Sequence, residues 1–281
     1  MGGRLANRTA IVTGANGAIA TACARRLLQD GATVVITSRG RDKLEQTREQ
    51  LLSDVPGAKL EAVTGDALNA DDVQATFKYA HDIAGRLDMV IATVGEGGFI
   101  PLLMHDADTF RANVDKNLLA PFLAIRYGAR YLGEGGSIVC ISSTAAKLVL
   151  PWLSAYCSAK AGMEMLVKCA AEELSPAKIR VNVVRPGYTL SEAMAPVAGT
   201  PALAEPILAE IPLNRWAEPE DIAEAVRYFA GAESGYVTGQ VFAVDGGVEL
   251  RRNVNMSFVL KQAYGDAAAD AILRGKEPPA A

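Results

Sequence analysis

Tyr156 and Lys160 stand four residues apart in "YCSAK", a spacing that sets them on one face of a helix. A tyrosine phenol titrates near 10 and gives up its proton reluctantly at neutral pH. An ammonium group one turn away favours the phenolate, so the pair reads as a general acid and base working on an oxygen atom. Ser143 lies thirteen residues before Tyr156, at the end of the apolar run "GSIVCISS". Its hydroxyl is suited to donate to an oxygen on which negative charge develops. Singly, a strand-end serine, a snorkelling tyrosine and a surface lysine are ordinary. The joint spacing is what points to chemistry.

Such residues need a scaffold, and the chain supplies one from its start. The apolar "TAIVT" runs into the turn "GANGAIA" and then into "TACARRLLQ", a strand, turn and helix. Gly14 and Gly17 permit a tight turn, and the free N–H groups of the helix point at whatever lies beyond it, an arrangement suited to a pyrophosphate. Ala18 and Ala20 stand where such turns usually carry glycine. One methyl falls near the ligand path and the other where helix crosses strand.

Further along, "TVVITS", "KLEAVTGD", "LDMVIATVG", "GSIVCISS", "IRVNVVRPG" and "GQVFAVDGG" read as strands. Helices are predicted over about 18–30, 41–52, from 71 onward, 109–132 and 156–175, with a capped amphipathic one in "PEDIAEAVRYFAG". Continuous apolar strands alternating with helices predict an α/β fold, a doubly wound seven-stranded parallel sheet with helices on both faces. No second domain is expected. The Pro/Ala-rich 188–213 segment, without a strand, reads as an inserted lid. Residues 251–281 form an extension with one amphipathic stretch, "FVLKQAYGDAAADAIL".

Ser143, Tyr156 and Lys160, taken with Asn117 in "NVDKNLLAPF", "IRVNVVRPG" and "VTGQVFAVDGG", resemble the classical short-chain dehydrogenase/reductase (SDR) family over about residues 5–250. The resemblance implies a single Rossmann domain over 1–250 and an NAD(P)-dependent exchange of an alcohol and a ketone by hydride transfer. Asn117, Ser143, Tyr156 and Lys160 would be catalytic, Asn117 holding a water that passes protons to Lys160. The cofactor groove would run over Gly14, Asn16, Gly17 and Ile19, past Ser38 and Arg39, to Asp66 and Ala67 at the adenine, then Thr93 and Gly95. Lys160 would also hydrogen-bond the nicotinamide ribose. Pro186 and Gly187 would shape the nicotinamide pocket, with Thr189 and Ser191 near the carboxamide.

Two stretches depart from the family pattern: "TGANGAIA" lacks the second and third glycines, and Ala92-Thr93-Val94-Gly95 replaces Asn-Asn-Ala-Gly. Thr93 is expected to replace the strand-tying asparagines with one hydroxyl. The divergent enoyl-reductase branch tolerates Ser-Ile-Ala at the first turn. It places its lysine seven residues after the tyrosine, however, and position 163 here is methionine. Carbonyl/alcohol chemistry is therefore expected. Ser38-Arg39 after the second strand, in place of an acidic residue, favours NADP, with NAD the alternative if Arg39 is only a solvated helix start. Asp66 has an N-cap as its alternative role.

Composition narrows the partners. With 28 basic and 32 acidic residues, net −4, the chain lacks the basic face that nucleic acid requires. Its four cysteines have no metal-ligand or paired spacing, and its two histidines lie far apart, so reduced thiols and no metal site are expected. No apolar run reaches membrane-spanning length, and a cytoplasmic protein is expected. Leu148, Val149, Leu150 and Trp152, with "YTLSEAMAPVAG", predict an apolar pocket mouth for a hydrophobic or alicyclic small molecule, with packing against a neighbouring subunit the alternative. Alternatives are a 3-ketoacyl-(acyl carrier) reductase using Arg126 and Arg130, and a non-catalytic dinucleotide sensor. The wide apolar arc of "AGMEMLVKCAAEEL" predicts a homotetramer or homodimer, with the tail on a neighbour or over a pocket.

Overall fold

The computed structural model describes residues 3–251 and 257–278. Seven apolar runs within it form strands: β1 (Thr9–Thr13), β2 (Thr33–Ser38), β3 (Lys59–Thr64), β4 (Leu87–Ala92), β5 (Leu132–Ile141), β6 (Arg180–Pro186) and β7 (Val241–Val244). They pair in the order β3-β2-β1-β4-β5-β6-β7, and every pairing is parallel.

Alternate residues of each strand face opposite sides, and both sides are covered. Ala10, Val12, Val34, Ile36 and Ile91 pack against helices α1 (Ala18–Gln29), α2 (Arg41–Asp54) and α9 (Pro219–Ala230). Ile11, Val35, Val90 and Ile138 pack against α3 (Ala70–Asp82), α5 (Ala120–Tyr131) and α6 (Ser154–Leu174). Each fully buried aliphatic side chain contributes about 1.5–3 kcal/mol over an exposed one, which is why these strands carry apolar residues on both faces. Local signals set the helix starts. The Asn69 side chain accepts from the N–H groups of Asp71 and Asp72, and Glu218 and Asp221 cap α9 reciprocally ahead of Pro219.

The chain leaves β1 toward β2 on one side and reaches β4 on the other, so a crevice opens beyond the carboxyl ends of these strands. The candidate site lies in that crevice.

One expectation is corrected here, and two segments gain detail. The helix expected over 109–132 is broken into α4 (Ala107–Val114), a π turn (Asp115–Leu119) and α5. Pro121 has no N–H to offer the carbonyl of Asn117, and the helix widens there. The 188–213 segment has no strand, as expected, but holds two helices, α7 (Ala195–Ala198) and α8 (Pro201–Ala209), and a single bridge joins Thr189 to Ala217. In the tail, α10 (Ser257–Leu273) is kinked at Gly265. No helix of the described residues is long and apolar enough to cross a membrane.

Candidate active site

A cavity of about 1330 Å3 fills the crevice, and the turn after β1 forms one wall of it. Gly14 sits at φ +67°, and a Cβ there would lie 2.9 Å from the Thr93 hydroxyl. Only glycine suits that position. The Thr93 hydroxyl donates to the Thr13 carbonyl, and the Thr13 hydroxyl accepts from the Thr93 N–H at 3.3 Å, which ties β1 to β4. Gly17 caps α1 with no side-chain hydrogen bond, so no side chain occupies the N–H groups of the first helical turn. Asn16 Oδ1 and Ser38 Oγ are buried without a partner among the described residues. Orphaned polar atoms of this kind call for a ligand or water. With Gly14, Gly17, Ala18, Ile19, Asp66 and Ala67 also on the cavity, the lining fits a dinucleotide. Arg39 lines the same groove, exposed and without a salt-bridge partner among the described residues. Asp66 is not the cap of the following helix, since that role falls to Asn69; its Oδ1 accepts from the Leu68 N–H at 3.0 Å.

At the other end of the groove β5 delivers Ser143 and the first turns of α6 deliver Tyr156 and Lys160, all three on the cavity. The Ser143 hydroxyl accepts from the Ala145 N–H at 3.2 Å, starting a short 3-10 turn. Lys160 is buried; its Nζ donates to the Ile141 carbonyl at 2.8 Å and lies 5.7 Å from the centre of the Tyr156 ring. Burial lowers the Lys160 ammonium to about 8, against the opposing pull of Cys140 and Glu164. Burial raises the Tyr156 phenol above its ordinary value, and the Ser143 hydroxyl works against that rise. Pro186, Gly187, Thr189 and Ser191 line the cavity from the end of β6.

Asn117 lies in the π turn and is fully buried, off the cavity surface. Its side chain is spent on the main chain: Oδ1 accepts from the Glu96 N–H at 3.1 Å, and Nδ2 donates to the carbonyls of Glu96 and Asn113, both at 2.9 Å. Gly95 lies between it and the lysine. A Cβ at position 95 would sit 2.7 Å from both Asn117 Oδ1 and Lys160 Nζ. Gly95→Ala is therefore expected to lower turnover at least tenfold, in line with the cost of a misplaced catalytic group, while thermal melting still shows a folded protein. Unchanged turnover would contradict this packing.

Several charged residues beside the cavity carry no sequence signature. Behind the catalytic end, Glu164 accepts from the Ser142 hydroxyl at 2.6 Å and from Arg185 Nε at 2.8 Å. Arg185 also reaches Glu249 at 2.7 Å, and Glu249 meets Lys147 at 2.7 Å. The only hint is that Glu164 follows Lys160 by one helical turn. Lys43 and Glu192 pair across the cavity mouth at 2.9 Å, from α2 and the segment after β6.

An apolar part of the cavity is lined by Phe99, Leu150, Leu153, Val197, Leu203 and Ile207. Of the four residues expected at the mouth, only Leu150 lines the cavity. Leu148 packs beside Ile207, Val149 is 79% exposed, and Trp152 lies edge-on to Phe99 with centroids 5.4 Å apart. Arg126 and Arg130 lie by the Tyr127 ring on α5, at 5.7 and 5.0 Å, and neither lines the cavity.

Residues 14–249 match the family model described as enoyl-(acyl carrier protein) reductase. The chain is 32% identical to a 3α-hydroxysteroid dehydrogenase of Mediterraneibacter gnavus, a match covering 86% of this chain and 97% of that protein. Among solved structures, a short-chain type dehydrogenase/reductase from Mycobacterium ulcerans is 31% identical with a TM-score of 0.90, covering 95% of this chain and 98% of that one. A short-chain dehydrogenase from Burkholderia cenocepacia J2315, in complex with NADP, is 28% identical with a TM-score of 0.81, covering 88% of this chain and 99% of that one. The chain belongs to the short-chain dehydrogenase/reductase family, whose members are oxidoreductases that bind NAD or NADP.

Proposed function

We propose that this protein is an NADP(H)-preferring oxidoreductase that interconverts an alcohol and a ketone on a hydrophobic or alicyclic substrate. One observation carries the reading. Ser143, Tyr156 and Lys160 meet at one end of a cavity whose other end offers Ser38 and Arg39, and no carboxylate, at the close of β2. A lysine four residues after the tyrosine supports carbonyl over enoyl chemistry.

When bound, the dinucleotide supplies or takes up the hydride. Gly14, Asn16, Gly17 and Ile19 would hold its pyrophosphate, Asp66 and Ala67 its adenine, and Thr93, Gly95, Pro186, Gly187, Thr189 and Ser191 its nicotinamide half. Tyr156 gives its phenolic proton to the carbonyl oxygen on reduction and takes a proton back on oxidation. Ser143 donates to the same oxygen as charge develops on it. With a value near 8, Lys160 is mostly an ammonium at neutral pH, and its charge favours the phenolate. Asn117 acts through its main-chain carbonyl, which Pro121 leaves without the usual α-helical donor, as the seat of a water serving Lys160. The test is to follow NADPH and NADH oxidation by the purified protein against a panel of cyclic and open-chain ketones. Turnover of a cyclic ketone supports the reading, and no oxidation by any ketone with either cofactor overturns it.

The protein is further proposed to work in the cytoplasm as a homotetramer or homodimer. Supporting this, Met165 on α6 is 58% exposed, and Leu102, Leu103 and Met104 are exposed together just before α4. Light scattering at micromolar concentration should give two or four times the chain mass; a monomer would refute the assembly.

A further inference from the structure

We propose that α10 is a wall of the substrate pocket and that Val259 limits the bulk of the ketone or alcohol accepted there. This rests on the oxidoreductase reading above. The helix lies beyond residue 249, where the family match ends.

α10 docks on its own chain. Leu260 and Ala269 are fully buried. The Tyr264 hydroxyl donates to the Phe99 carbonyl at 2.8 Å. Phe99 lines the cavity and lies edge-on to Trp152, and the Ile100 N–H donates to the Trp152 carbonyl at 2.8 Å. Trp152 is held at φ +66°, a conformation a bulky residue adopts only when its surroundings impose it. The next residue, Leu153, lines the cavity next to Tyr156. A continuous path of contacts therefore runs from α10 through Phe99 and Trp152 to the turn that carries the catalytic tyrosine. One hydrogen bond from the Tyr264 side chain and one between main-chain groups hold that path together.

Val259 is the one α10 residue on the cavity among the described side chains. The Tyr264 hydroxyl is already committed to a carbonyl, so the helix presents the substrate with methyl groups and no free donor. A ligand reaching this wall from the catalytic end must be apolar there. Its size is bounded, because an apolar pocket discriminates by the room it leaves, at about 10–200-fold per methylene gained or lost.

The test compares cyclohexanone with the two-ring 2-decalone as substrates of the full-length protein with NADPH. Val259→Phe is expected to lower kcat/KM for 2-decalone about tenfold or more, mainly through KM, while cyclohexanone changes by less than about twofold. Val259→Ala removes bulk without crowding the helix, and should raise the ratio of 2-decalone to cyclohexanone kcat/KM. Unchanged NADPH affinity, read by fluorescence titration, shows that each variant is folded. If the wild type turns over ketones but both variants leave the ratio unmoved, the wall is wrong and the oxidoreductase reading stands. A wild type that reduces no ketone overturns both.

Discussion

Tyr156→Phe is expected to cut ketone reduction by about 10²–10⁴-fold, the usual contribution of a positioned general acid. The ring stays, so the packing of α6 and the affinity for the dinucleotide should not change. Turnover depends on pH in a direction that the site sets. Burial keeps the Tyr156 phenol protonated beyond its ordinary range, so the phenolate that accepts a proton during alcohol oxidation is scarce at neutral pH. Oxidation should therefore climb as pH rises, while reduction, which needs the phenol, falls only at higher pH. The Lys160 ammonium, present below about 8, eases formation of the phenolate. Lys160→Met should therefore slow oxidation most below about pH 8, where the ammonium is present to favour the phenolate. Rate profiles in both directions measure this. A Tyr156→Phe variant that keeps most of its turnover would remove Tyr156 from the chemistry.

The second large effect is expected at the adenosine end. A guanidinium on a 2′-phosphate is a charge-assisted pair worth about 1.5–3 kcal/mol. At about 1.4 kcal/mol per decade, that amounts to roughly ten- to a hundred-fold in favour of NADPH. Arg39 is placed for it, lining the groove with no salt-bridge partner among the described residues to compete. Ser38 contributes by being small and uncharged at the end of β2. The double change Ser38→Asp with Arg39→Ala should reverse the preference and leave the rate at saturating cofactor nearly intact. Dissociation constants for both cofactors at two salt concentrations test this. NADH binding the wild type as tightly as NADPH at low salt, where the charge pair is strongest, would make Arg39 a solvated side chain and NAD the cofactor.

The sheet was legible because parallel strands covered on both faces are rich in apolar residues, and the runs Ala10-Ile11-Val12, Met89-Val90-Ile91-Ala92 and Val183-Val184 supply them. Parts of the cavity lining were legible because each is a short local stretch: the turn from Gly14 to Ile19, the pair Ser38-Arg39, and the Tyr156–Lys160 turn. What stays hidden depends on contacts between distant segments. Nothing near Glu164 foretells that Arg185, Glu249 and Lys147 gather behind it, from elements joined only by the fold. Val149 and Trp152 read as pocket residues by their apolarity alone, but a loop's facing depends on its backbone, and Trp152 at positive φ turns toward Phe99. Asp66 has the residue type of a cap, but the neighbouring Asn69 fills that role.

The break in the long helix before β5 has a bearing on numbering as well as on shape. An α-helix advances about 100° per residue, so the wider turn at Asp115–Leu119 acts as one residue inserted without a loop to absorb it. Every position after it is rotated by that amount relative to α4. A single wheel drawn through 109–132 therefore misplaces the buried face of α5 by that angle relative to α4. Deleting one residue from the turn would rotate α5 by about 100° relative to α4. Pro121 would still lack the N–H of a regular helix, so Asn117 could not keep its place beside Gly95 while α5 kept its packing.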